Sequence, residues 1–262
     1  MKTEGMQVKR NAAPGFFHGM APIFSAEVKR WWGTKRWIWQ GLLWIGILNG
    51  ILGMLAQVSK VTGGFDLGEA DVRQVFGMLA VLSTVGVVIT MQNVLVNERE
   101  NGIAAWILSK PVSRPAYLLG KAAGHAVGIY PLLWLIPAWG IYWQLSRLFL
   151  GEWLGAGSFL AAWLIVGLEI TFYLSLTLLM GTLSSNRGAV LAVPLAVLFG
   201  QQLIIGLIPG LVHVMPYSLS AVNAGAAALG ESLPIPAAVP AVLLWVSGFL
   251  GLSIWRIQRE EF

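Results

Sequence analysis

One acidic side chain stands alone in the middle of a long apolar run. It is Glu169, about 11 residues from either end of the stretch 158–181. Tyr173 and Thr177 follow at intervals of four, which puts three polar groups on one stripe of a helix. Gln201 and Gln202 interrupt the next apolar run, 189–208. If both runs cross a bilayer, the glutamines lie within about one helical turn of Glu169 in depth, at about 1.5 Å per residue. A carboxylate at such depth is costly, so it must be protonated, paired, or turned to the interior of a helix bundle. The chemistry open to this group is to line a substrate path or to make a polar contact with a neighbouring helix or a second subunit. An intramembrane enzyme acting on lipid through Glu169 and His125 is a third reading.

The second constellation is the segment 97–121, NERENGIAAWILSKPVSRPAYLLGK, the densest cluster of charge between two long apolar runs. Glu98, Arg99 and Glu100 alternate acid and base and can pair with charges on a partner. Ile103, Trp106 and Ile107 can fill an apolar cleft. Lys110, Arg114 and, in a later loop, Arg187 add cations. The segment reads as folded. A short helix follows Gly102 and stops before Pro111, because the residue preceding a proline disfavours the helical region. Ser113 stands where an N-cap belongs, with Pro115 in the first turn of the next helix.

Other chemistries are excluded. The chain has no cysteine, so thiolate sites and disulfides are absent. His18, His125 and His213 are scattered without metal-ligand spacing. Gly120-Lys121 does not end a phosphate-binding loop, since Pro115 replaces the first glycine and Ala122 the Ser or Thr. If movement across a membrane here uses ATP, another chain must hydrolyse it. His125 has no evident partner and reads as structural.

The elements that must position these residues follow from composition. Of 262 residues, 56% are hydrophobic and 11% charged, against about 25% charged in soluble domains. The expected fold is an all-α polytopic membrane protein with six transmembrane helices, at about 37–58, 75–96, 122–143, 158–181, 189–208 and 237–257, each near the ~20 residues a span needs. Residues 1–22 read as a partly disordered cytoplasmic tail and 258–262 as a cytoplasmic C-terminus. In 23–36, Phe24, Val28, Trp31 and Trp32 share one helical face with Glu27, Lys29 and Arg30 off it, the pattern of an amphipathic interfacial helix. Residues 209–236 are apolar but broken by four prolines; they read as a re-entrant outer segment, with Ser218 capping a short Ala-rich helix that ends at Gly230.

Charge sets the orientation. With both termini inside, 14 lysines and arginines fall on inner segments and three on outer ones, which is the positive-inside bias. The localisation expected is the plasma (inner) membrane. The net charge of +5 is then explained by inner loops and lipid surfaces and does not call for nucleic acid.

The run Glu98-Arg99-Glu100, Gly102, Leu108 to Arg114 (LSKPVSR), Tyr117 and Gly120-Lys121 resembles the segment between spans two and three of the ABC-2 type permease family of ABC transporters. Ile103 departs from the Thr usual after the glycine. The resemblance implies a membrane subunit that pairs with a second permease and with two copies of a separate ATP-binding subunit, which holds the ATP and magnesium. This chain itself would bind no cofactor and have no catalytic residue. Segment 97–121 would be a coupling helix seated in the ATPase, docking through Glu98, Arg99, Glu100, Gly102, Trp106, Lys110 and Arg114, with Arg187 in a smaller second contact. The interfacial helix would flank that groove. Glu169, Tyr173, Thr177, Gln201 and Gln202 would lie on or near the path, and the implied use is export of a lipid, amphipathic peptide or drug, polysaccharide or ion. A non-transporting sensor or immunity subunit using the same loop is a further alternative.

Overall fold

The computed structural model describes residues 15–62 and 67–260. Every regular element among them is helical, and six helices are long and apolar enough to cross a membrane. After α1 (Met20–Trp32), the spanning elements begin with α2 (Arg36–Thr62). The second is α3 (Glu69–Met91), prolonged through a turn into α4 (Val96–Glu100). A short α5 (Ile103–Leu108) precedes the third, which joins α6 (Arg114–Tyr130) to α7 (Ile136–Gln144). The last three are α8 (Ala156–Leu183), α9 (Arg187–Leu207) and α11 (Ala238–Gln258). The small α10 (Gly225–Ala228) belongs to the segment before α11. Most of residues 1–22 lie outside the described residues, but Met20 already opens α1.

The third span departs most from its expected bounds. It runs from Arg114 to Phe149, 36 residues, or about 54 Å at about 1.5 Å per residue, against about 30 Å of hydrocarbon. About 24 Å is left over, so charged residues in its first turns need not meet lipid tails. The 97–121 segment therefore ends as a loop at Ser113, and residues 114–121 are already helix. Pro131 and Pro137 remove two N–H donors from the regular ladder, and a π-helical turn spans Pro131–Leu135. There Trp134 stacks on Trp163 of α8 at 6.3 Å with planes 5° apart. Each indole donates to the other's backbone carbonyl, at 2.9 and 3.0 Å. Gly167 of α8 provides the room, because a Cβ there would lie 2.9 Å from the Trp134 ring.

The core is built around α8. Two thirds of its most apolar stretch is buried, against 22% for α2, α9 and α11. Those three peripheral helices expose Trp39, Leu42, Phe199, Leu203 and Leu244, as expected of surfaces that meet lipid or another subunit. The broken segment 209–236 folds back between α3 and α8. It contains a 3₁₀ turn (Pro209–His213), a π turn (Leu219–Ala224) and α10, whose four residues are all buried. Gly225 approaches α3 so closely that a Cβ would lie 2.6 Å from the Arg73 Cα. Gly230 ends the element with φ 78°. Ser218 stands at the N-cap position but does not cap; its hydroxyl donates to the Met215 carbonyl at 2.8 Å.

α1 also differs from expectation. It ends at Trp32, and Arg36 already begins α2. Its buried face is Ile23, Glu27 and Trp31, so Glu27 lies at the centre of that face and not off it. The face runs parallel to α6 across Gly120, Gly124 and Gly128. A Cβ at these positions would come within 3.1 Å of Ile23, 2.4 Å of Glu27 and 2.2 Å of Trp31. Small residues every four positions let two helices approach this closely.

Candidate functional site

The chain between α3 and α6 is held in place residue by residue. Gly102 separates α4 from α5 because it takes φ 68°, a left-handed value that glycine adopts without steric cost. Ser113 is extended, and its hydroxyl accepts from the Ala116 N–H at 3.2 Å. That is the N-cap its sequence position predicts. The same hydroxyl donates to the Phe16 carbonyl at 2.5 Å, and the Ser113 N–H donates to the His18 carbonyl at 3.0 Å. The loop is thereby pinned to the start of α1.

The charged residues divide into two sets. The first is engaged within the chain itself, where the resemblance would have all of them meet a partner. Glu98 is buried; it accepts from Lys121 Nζ at 2.5 Å and from the Tyr117 hydroxyl at 2.7 Å. Lys121, 1% exposed, also reaches Glu27 of α1 at 2.5 Å. One ammonium thus bridges two carboxylates from two other helices. Arg99 donates to the carbonyls of Gly181 at 2.8 Å and Thr182 at 3.3 Å, where α8 ends, and pairs with Glu260 at 2.6 Å. Arg114 donates to the Gln258 carbonyl at 2.8 Å at the end of α11. Both arginines satisfy carbonyls left open at a helix C-terminus, where a cation is favoured.

The second set faces outward. Glu100 forms an exposed ion pair with Arg187 at the start of α9. Gly102 is exposed. Trp106 is 64% exposed, with Lys110 Nζ 4.4 Å from its ring centroid. Ile103 is also exposed. The pinned one-and-a-half-turn helix thus carries an exposed tryptophan with a cation over its face, the residue types enriched at interface anchors.

Glu27, Tyr117 and Lys121 were not singled out from the sequence as one unit. The signal was there in part: Ile23, Glu27 and Trp31 repeat at four, as do Gly120, Gly124 and Gly128. His125 does have neighbours. Its Nδ1 lies 3.1 Å from the Lys121 carbonyl and 3.7 Å from Glu27.

The deep polar residues form a separate cluster. Glu169 is 1% exposed. Ser220, from the broken segment, lies beside its carboxyl, while Oε2 has no hydrogen-bond partner among the described residues. Tyr173 is buried beside it, with its hydroxyl towards Gln201 of α9 but without a well-formed bond. Gln201 accepts from the Tyr217 N–H at 3.1 Å. Thr177 is turned back on its own helix, donating to the Tyr173 carbonyl at 2.7 Å. Gln202 is exposed and donates to the Tyr217 hydroxyl at 3.1 Å. The cluster joins α8, α9 and the broken segment within one chain. Glu169 thus sits in a polar contact between helices of this chain. Among the described residues, no group of three or more His, Asp or Glu side chains could hold a metal ion.

No protein-family model matches the chain, and no curated protein matches it.

Proposed function

We propose that this chain is the membrane-embedded permease subunit of a transporter driven by a separate ATP-hydrolysing subunit. The observation that carries the reading is the pinned α5, with Trp106 and Lys110 exposed on it beside the Glu100–Arg187 pair. A structured apolar and charged knob at the end of two spans is suited to receive force from a partner. Arg99 and Arg114 give that force somewhere to go, since they tie the same segment to the ends of α8 and α11. The excess of lysine and arginine on this end favours its being cytoplasmic in the plasma (inner) membrane. ATP and magnesium belong to the partner in this scheme. Two permeases and two ATPases assemble, and the exposed apolar faces of α2, α9 and α11 offer surface for the second permease.

The docking set is narrower than the resemblance implies. Glu100, Gly102, Ile103, Trp106, Lys110 and Arg187 meet the partner. Glu98, Arg99 and Arg114 hold the knob to the bundle. The test is binding of an ATP-hydrolysing subunit co-expressed with this chain and co-purified in detergent. Trp106→Ala with Lys110→Ala lowers that affinity at least about tenfold, the scale of an interface anchor. Full retention of binding by the double variant refutes the docking reading. Arg99→Gln keeps binding but moves less substrate per ATP hydrolysed in vesicles.

A further inference from the structure

At the α1 end, the start of α2 and the end of α3 enclose a cavity of about 170 Å³. That is below the ~300–1,000 Å³ of pockets for drug-sized ligands, and it suits a small headgroup. Arg30 and Arg36 line it together with Gln40, one turn after Arg36 on α2, Asn93 from the turn after α3, and Trp31. Several of these donors are uncommitted. Among the described residues, the Arg36 guanidinium has no carboxylate within ion-pair distance; it sits 6.0 Å from the Trp31 ring centroid. Arg30 approaches Glu27 only to 3.9 Å.

The local charge is also unbalanced. Glu98 and His125 form the inner wall, but Glu98 is already matched by Lys121 at 2.5 Å. At the cavity and the cluster behind it, two carboxylates, Glu27 and Glu98, stand with three permanent cations, Lys121, Arg30 and Arg36, which leaves one positive charge in excess. Planar guanidinium groups with amide donors beside them match the oxygens of a phosphate. Ile89, half-exposed on α3, lies at the same cavity and provides an apolar edge.

We infer that this cavity binds a phosphate ester, held by Arg30 and Arg36 with Gln40 and Asn93 completing the donor set. Two sources share that chemistry, the headgroup of an anionic phospholipid and a soluble phosphate monoester. The site does not rest on the transport reading; it requires only the junction of α1, α2 and α3.

The experiment uses the full chain in a lipid-free detergent micelle. Native mass spectrometry counts bound phosphatidylglycerol against phosphatidylcholine, and thermal unfolding is followed across titrations of phosphatidylglycerol, glycerol phosphate and inorganic phosphate. One saturable site per chain is expected. Its affinity falls at least about tenfold in Arg30→Gln with Arg36→Gln, the scale of losing charge-assisted hydrogen bonds, and is unchanged in Lys35→Gln, a neighbouring cation outside the cavity. Gln40→Met, which keeps both charges, weakens binding by a smaller factor and serves if the arginine variant does not fold. Saturation by phosphatidylglycerol alone assigns a lipid source, and saturation by glycerol phosphate or phosphate assigns a soluble one. No saturable binding by any of the three overturns the inference, as does equal weakening in Lys35→Gln.

Discussion

Replacing Lys121 with methionine removes the single ammonium that bridges Glu27 and Glu98. The lysine is 1% exposed, and both contacts are 2.5 Å. Methionine keeps the length of the side chain, so the packing against α1 changes little. What remains is two buried carboxylates facing each other across the space the ammonium filled. Glu98 keeps only the Tyr117 hydroxyl at 2.7 Å, and Glu27 Oε2 already has no hydrogen-bond partner among the described residues. Removing one member of a buried ion pair costs about 3–5 kcal/mol, mostly through the uncompensated charge that stays behind. For a chain of this size that corresponds to a fall of roughly 10 °C in the unfolding temperature. The measurement is thermal unfolding of the purified protein in detergent, followed by circular dichroism. The triple variant Lys121→Met, Glu27→Gln, Glu98→Gln restores most of the loss, because it removes the charges together instead of stranding two of them. Unchanged unfolding in Lys121→Met, or a triple variant no better than the single one, refutes the assignment of the cluster as a mutually compensated unit.

Two further outcomes follow from particular contacts. Gly124→Ala places a Cβ 2.4 Å from the Glu27 Cβ, so α1 must move off α6 at a cost of about 1–3 kcal/mol. Gly248→Ala, with open space at its Cβ, is neutral or stabilising by up to about 1 kcal/mol; amide hydrogen exchange over residues 20–32 separates the two. At the opposite end, the Arg73 guanidinium beside Glu231 holds that carboxyl below the usual carboxylate range. A depressed carboxyl pKa contributes stability above its unfolded value and loses it as pH falls through the folded value. Exchange protection of residues 225–230 therefore declines in acid in the natural chain, and Glu231→Gln flattens that dependence.

How far the sequence could be read depended on the range of the interaction. Six apolar runs were visible because burial in lipid is decided run by run, whatever the neighbours are. Gly102, Pro111, Ser113 and Pro115 announced the breaks and caps around α5 because their backbone preferences act over a few residues. The inner length of the third span was only partly legible. Ser113 and Pro115 mark a helix start at 114, but Arg114 and Lys121 put the expected membrane crossing no earlier than 122, and only the packing of Gly120, Gly124 and Gly128 against α1 shows one continuous helix buried there. The direction each charge faces was equally hidden. Glu98 and Glu100 are two residues apart, yet one lies inside against Lys121 and the other outside against Arg187. Helical geometry turns them about 200° from each other, but which of them faces the core depends on where α1 and α6 sit.

The sequence alone determined that this is a helical chain with six membrane-length apolar segments, charge gathered towards one set of loops, and a folded segment between the second and third. Those properties are sums over local residues. Only the tertiary structure decided that Lys121 joins Glu27 to Glu98 across 94 and 23 residues. The same holds for Glu169, whose contact with Ser220 comes from the segment before the last span, and for Arg99 and Arg114, which close the ends of α8 and α11. Each of these depends on elements far apart in the chain meeting in one register. A buried charge accepts only a partner at bonding distance, and that distance exists only once the helices are packed.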